Sequence, residues 1–296
     1  MKPTRFATGC LCAILALGFS VADGDTAFAN AKKQAKAAKN EKKTRRAMNQ
    51  ITIDCQDGVA TIGVNGEGNL IQFESPQGFE HVGVGTFSEG YVIKWDTPFA
   101  SITIFDVGPF AGQEFGFGEA AFVPGGNFSV RYSLDGSVKL TQTFTPDCDQ
   151  RKLIVEHEVQ NCTGGLDPIC SGGGVNLDEV CLARQVDFDV DTGGDEGFAG
   201  FINNHAASTD AYIAWNDKNR APETHSMHLS ILNPQRGPVD SVAKVTNQIL
   251  DTNCPANDVA GAGPRLNVDD GGRIEATTAD IAPGESVTLL LEYKRD

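Results

Sequence analysis

The 296-residue chain contains no C-x-x-C pair, so zinc ribbons and thioredoxin-like redox centres have no support. It contains no G-x-S-x-G, no H-E-x-x-H and no P-loop, which removes the local signatures of a serine-hydrolase elbow, a zincin and a phosphate cradle. No long stretch carries a 3.6-residue apolar period, and parallel α/β folds need crossover helices. No repeat recurs at a fixed period, which counts against propellers and solenoids. Beyond the first 29 residues no apolar run is long enough to cross a membrane. Basic residues are scarce in the body of the chain: residues 1–46 hold ten of the 24 Lys and Arg but three of the 39 Asp and Glu. A remainder that acidic repels nucleic acid and anionic lipid and suits an extracellular protein or one that gathers cations.

What is present begins with residues 1–29, which read as a cleaved export signal, with an uncleaved anchor or a lipoprotein as the competing reading. Lys2 and Arg5 precede the mostly apolar run Phe6 to Val21, and Ala27-Phe28-Ala29 fits a small-x-small cleavage site. Residues 30–49 form a basic linker; its stretch 30–47 is mostly Ala, Lys and Arg with no large apolar group, so it is expected to be disordered. Such an arm reads as a solvated spacer, a polymer-binding arm or a pro-segment cut near Lys42 to Arg46. Cys10 and Cys12 leave with the signal, and the even remainder implies disulfides among Cys55, Cys148, Cys162, Cys170, Cys181 and Cys254, in 15 conceivable pairings. The expected location is secreted, periplasmic or extracellular.

From residue 50 the texture is short runs of β-branched and aromatic residues between turn signals. Asn65-Gly66 and Asp135-Gly136 mark hairpins. Strands are expected at Ile51 to Cys55, Gly58 to Val64, Leu70 to Phe73, His81 to Gly85, Tyr91 to Trp95 and Ser101 to Phe105. Further strands are expected at Asn127 to Leu134, Ser137 to Thr145, Lys152 to Gln160, Ala211 to Trp215, His228 to Leu232, Arg273 to Thr277 and Val287 to Tyr293. Val242 to Leu250 reads as strand or short helix. The expected fold for residues 50–296 is all-β: one large antiparallel β-sandwich, with two stacked modules as the alternative. The closing Ile281 to Tyr293 resembles the last strand of many secreted β-sandwich modules.

Chemistry concentrates in Cys181 to Gly197. Val186, Phe188 and Val190 alternate with Asp187, Asp189 and Asp191, which on one strand puts three apolar groups in the core and three carboxylates towards solvent or an ion. With Asp195 and Glu196 they form a candidate calcium site, although the spacing does not match an EF-hand. Glu156 and Glu158 flank His157 and share a strand face, a pairing that suits acid–base work on a glycosidic bond, with a polar strand face as the favoured competing reading. His225 and His228 fall on opposite faces, which disfavours a shared metal. Trp95 and Trp215, with Tyr91 and Tyr212, are candidates for a sugar-binding face, and core packing is the competing role. The sequence thus points to an exported sandwich, more a binding or structural protein than an enzyme, with calcium as a candidate ligand and polysaccharide or a cell-surface component as candidate partner. The alternative is a carbohydrate-active protein, either a binding module or a glycoside hydrolase.

Overall fold

The computed structural model describes residues 50–296 apart from 56–59, 66, 77, 83–88, 108–127, 134–135, 163–169, 171–173, 191–202, 209, 216–225, 233–239, 247–252, 256–263 and 269–270. The chain divides into Met1–Arg45 and Arg46–Asp296. The expected signal segment and basic linker lie outside the described residues.

Every named element among the described residues is a β-strand, and every pairing is antiparallel. Numbered in chain order, β1 (Gln50–Cys55), β2 (Ala60–Asn65) and β3 (Leu70–Glu74) make a three-stranded sheet. Next come β4 (Glu89–Asp96), β5 (Ser101–Val107), β6 (Phe128–Tyr132), β7 (Val138–Asp147), β8 (Lys152–Asn161) and β9 (Asp178–Val186). The last seven are β10 (Asn203–Ala207), β11 (Ala211–Trp215), β12 (Ser226–Leu232), β13 (Asp240–Thr246), β14 (Arg265–Val268), β15 (Gly271–Thr277) and β16 (Ser286–Arg295). An eight-stranded sheet runs β14-β10-β11-β12-β16-β8-β7-β6, and a five-stranded sheet runs β13-β15-β9-β4-β5. The expected antiparallel β-sandwich is the fold.

Period-2 patterning explains how the two large sheets meet. On β8, Leu153, Val155, His157 and Val159 are buried, while Lys152, Ile154, Glu156, Glu158 and Gln160 are not. The same alternation runs through β7 and β16. Their buried rows join Tyr91, Ile93 and Trp95 of β4 and Leu182 and Val186 of β9 in one continuous core. The five-stranded sheet reads differently. Seven successive residues of β9 and six of β15 are buried, which marks strands covered on both faces. The cover on the outer side includes Cys254, bonded to Cys181 and packed with Val92 and Ala183. Beneath it lie Arg273, Glu275 and Lys244: Arg273 Nε is 2.7 Å from Glu275, and Lys244 Nζ pairs with the same carboxylate.

The six cysteines among the described residues are all bonded, as Cys55–Cys148, Cys162–Cys170 and Cys181–Cys254. The second joins two cysteines only eight positions apart. Three disulfides fit an oxidising extracellular or periplasmic compartment. No helix among the described residues is long and apolar enough to cross a membrane.

The acidic stretch departs from its expected geometry. Strand β9 stops at Val186, so residues 187–190 do not continue its alternation. Val186, Phe188 and Val190 are buried as expected, but Asp187 and Asp189 are buried as well, at 7% and 1% exposure. The reason is that this segment is covered from two sides. Phe188 stacks on Tyr212 with ring centroids 5.6 Å apart, and the Asp189 N–H donates to the His81 carbonyl at 3.0 Å. His81 and Val82 lie in bends, not in the strand expected from His81; residues 83–85 fall outside the described set. Val242 to Leu250 resolves as strand as far as Thr246.

Candidate ligand-binding face

Two groupings of polar side chains come out of this architecture, one sealed between the sheets and one open on the outer face of the eight-stranded sheet. The sealed one centres on Arg184 of β9, fully buried. Its Nη2 donates to Glu89 Oε2 at 2.7 Å and to the Gly68 carbonyl at 3.0 Å, and its Nε pairs with Glu89 Oε1. Nη1 donates to Gln142 Oε1 at 2.7 Å and lies 2.6 Å from His157 Nε2. Tyr293 donates its hydroxyl to Glu89 at 2.5 Å. A second buried pair adjoins it: Arg131 Nη1 sits 2.5 Å from Asp106 and 2.7 Å from the Tyr91 hydroxyl, which donates to the Glu67 carbonyl. Burial pushes the Tyr91 and Tyr293 hydroxyls up. Burial, with Arg184 beside it, holds the His157 imidazole well below its usual range. Burial raises the Glu89 carboxyl, opposed chiefly by Arg184.

This network resembles an acid–base site in composition, but its residues are sealed. Glu89, Arg184, Gln142 and Tyr293 have no exposed surface, and their polar atoms bond one another. What it does is fasten strands of both large sheets to the β2–β3 turn, since β9 and β4 reach β7, β8, β16 and the carbonyls of Glu67 and Gly68. Gly68 is required there twice over. It has φ +87°, and a Cβ would fall 1.9 Å from Gln142 Nε2.

The open face is the unburied side of the eight-stranded sheet, and register places its side chains. In one row Thr143 of β7 faces Glu156 of β8, which faces Leu290 of β16. In the next, Thr141 faces Glu158, which faces Thr288. Towards the other end Lys152 faces Lys294, then His228 of β12, then Ile213 of β11, and Trp215 faces Ser226. All of these are half-buried except Glu156, which is exposed. The charges at this end are paired: Lys152 with Glu292 at 3.2 Å and with Asp147 at 3.7 Å, and Lys294 with Asp296. His228 Nε2 contacts both Ser226 Oγ at 2.9 Å and Asp296 Oδ2 at 3.3 Å. Serine and aspartate meeting the same ring nitrogen do not make a catalytic triad, in which the carboxylate holds the other nitrogen. Burial lowers the His228 pKa, with Asp296 opposing.

The predicted site residues separate on this map. Glu156 and Glu158 share the open face while His157 points into the core, so the three do not converge. Trp215 is half-buried on the open face. Trp95, expected to be a ligand-binding residue, is wholly buried in the core, because the inward rows of β4 claim it. Asp187 and Asp189 are buried between segments and do not form a solvated ladder. Asp191, Asp195 and Glu196, the rest of the candidate calcium site, lie outside the described residues. Among the described residues no group of three or more His, Cys, Asp and Glu side chains is placed to hold a metal. Sequence reasoning missed Arg184 and Glu89. The available signal was a strand with an arginine among residues too apolar to have a solvated face, which demands a buried counter-charge.

No known family matches the chain, and no curated protein matches it in sequence. Solved structures that align with the chain include a bacterial glucoamylase complexed with acarbose, at TM-score 0.49 and 10% identity. That match covers 83% of this chain and 32% of the glucoamylase, so the chain spans about a third of its length. A putative aldose 1-epimerase from Escherichia coli K12 matches at TM-score 0.40 and 11% identity, over 84% of this chain and 99% of that one. A polysaccharide lyase matches at TM-score 0.37 and 11% identity, over 83% of this chain and 32% of the lyase. Likenesses of this degree say nothing of what this chain binds.

Proposed function

We propose that the protein is an exported, non-catalytic β-sandwich that binds saccharide, free or as part of a cell surface, on the outer face of its eight-stranded sheet. One observation carries this reading: the period-2 patterning of β7, β8, β11, β12 and β16 leaves an ordered field of hydroxyl, carboxylate and aromatic side chains on an accessible sheet face. Thr141, Thr143 and Thr288 offer hydroxyls that donate and accept, and Glu156 and Glu158 accept from the vicinal hydroxyls of a sugar. Trp215 supplies an apolar ring for the apolar face of a pyranose. The strongest acid–base cluster among the described residues is buried, which favours binding over catalysis.

A glycan array probed with the parent protein, Trp215→Ala and Glu158→Gln tests it. Saccharide binding weakened at least tenfold by Trp215→Ala, with an unchanged melting temperature, is the expected result. An array without binding, or binding indifferent to both substitutions, contradicts it.

A further inference from the structure

We infer that the contact between Arg184 and His157 is an acid-sensitive lock that fastens the turn of the three-stranded sheet to the sandwich. A guanidinium can only donate hydrogen bonds. Its Nη1 lies 2.6 Å from His157 Nε2, so that nitrogen is the unprotonated acceptor and the proton of the neutral ring is on Nδ1. Protonating His157 turns the acceptor into a donor and sets a second cation against Arg184. The contact cannot survive that change.

What depends on the contact is the position of Arg184, and through it the β2–β3 turn. Arg184 Nη2 holds the Gly68 carbonyl, Gln142 joins Arg184 to the Glu67 carbonyl at 3.1 Å, and Glu89 accepts from the Leu70 N–H at 2.7 Å. The groups beside His157 are Arg184 on β9, Tyr91 on β4 and the cross-strand partners of His157, Gln142 on β7 and Leu289 on β16; on the other side of Arg184 lie Glu89 on β4 and Tyr293 on β16. Only Glu89 among them carries a negative charge. It is already engaged by Arg184, Tyr293 and the Leu70 N–H, so it is not free to receive the new cation.

The other end of the same sheet is covalently held. Cys55 closes β1 and faces Ala60 at the start of β2, and it is bonded to Cys148 beyond β7. The lock sits at the far end of β2, about 17 Å away at strand rise. Release at the turn therefore opens a tethered flap that closes again when the proton leaves. The sign follows from the lowered pKa. The open form, with His157 at its ordinary value, binds a proton that the closed form refuses, so opening gains as pH falls below about 6.5.

Hydrogen exchange of the full-length oxidised protein between pH 7.5 and 5 tests the inference, with rates corrected for intrinsic chemistry. The opening constant for the amides of Gly68, Asn69 and Leu70 should rise about tenfold per pH unit below 6.5, the limit for one proton. Amides of β12 should hold. His157→Gln, whose carbonyl still accepts from Arg184, should abolish the rise. Should that variant not fold, nitrogen NMR of the parent imidazole decides: Nε2 unprotonated at pH 7 with acid titration coincident with the opening supports the lock. A flat exchange profile, a rise that persists in His157→Gln, simultaneous opening of β12, or a protonated Nε2 at pH 7 would each overturn it.

Discussion

Replacing Arg184 by Met removes a side chain that bonds groups on β4, β7, β8 and the β2–β3 turn together. Methionine fills most of the guanidinium stem's volume, so the loss is chiefly electrostatic. Glu89, fully buried, would keep its Leu70 and Tyr293 donors but lose its counter-ion. Breaking a buried pair from one side costs about 3–5 kcal/mol, because the remaining charge is left uncompensated. Removing both charges with Arg184→Met and Glu89→Leu should cost at least about 2 kcal/mol less than the two single changes summed, since neither charge is then stranded. Urea unfolding of the oxidised protein, followed by fluorescence and circular dichroism, measures all four members of the cycle. A single-variant cost below about 1 kcal/mol, or strict additivity in the double variant, would show that Arg184 and Glu89 are not a coupled buried pair.

Three further outcomes follow from the packing. Gly68→Ala should cost about 2–4 kcal/mol, as a left-handed φ and a Cβ driven into Gln142 act together. Gly78→Ala, with φ +92° and open space, should cost only the backbone part, about 1–2 kcal/mol, in the same urea titration. Phe188→Ala should cost roughly 3–5 kcal/mol by the same assay, since the ring is fully buried against Tyr212 and Tyr293. Peptide mapping of non-reduced protein should return Cys55–Cys148, Cys162–Cys170 and Cys181–Cys254 with no free thiol, and any other pairing contradicts the strand register.

Much of the sandwich was legible because its large sheet has one buried and one solvated face. Lys152 to Gln160 reads as a strand from alternation alone, and β8 occupies it with one residue more. β10 and β14 gave no such signal. Asn203-Asn204-His205 is polar, and Arg265–Val268 is only four residues long, so pairing with neighbours, not patterning, makes them strands. The acidic stretch misled for a different reason. Alternation assigns faces only while a strand continues, and β9 ends at Val186, after which contacts from Tyr212 and the His81 segment decide burial. Arg184 and Glu89 are 95 positions apart, a pairing that only the sheet order β9-β4 brings together. Trp95 and Trp215 are alike in sequence context. Their fates differ because Trp95 lies in an inward row of β4 and Trp215 in an outward row of β11.

The emission of Trp215 during saccharide titration tests the proposed binding face most directly. Trp95→Phe leaves Trp215 as the one remaining indole, and among the described residues the Trp95 indole N–H has no hydrogen-bond partner to lose. A saccharide bound by the parent protein should shift the Trp215 emission and shield the ring from iodide quenching in Trp95→Phe. Saccharide binding that leaves Trp215 as open to iodide as before would contradict it.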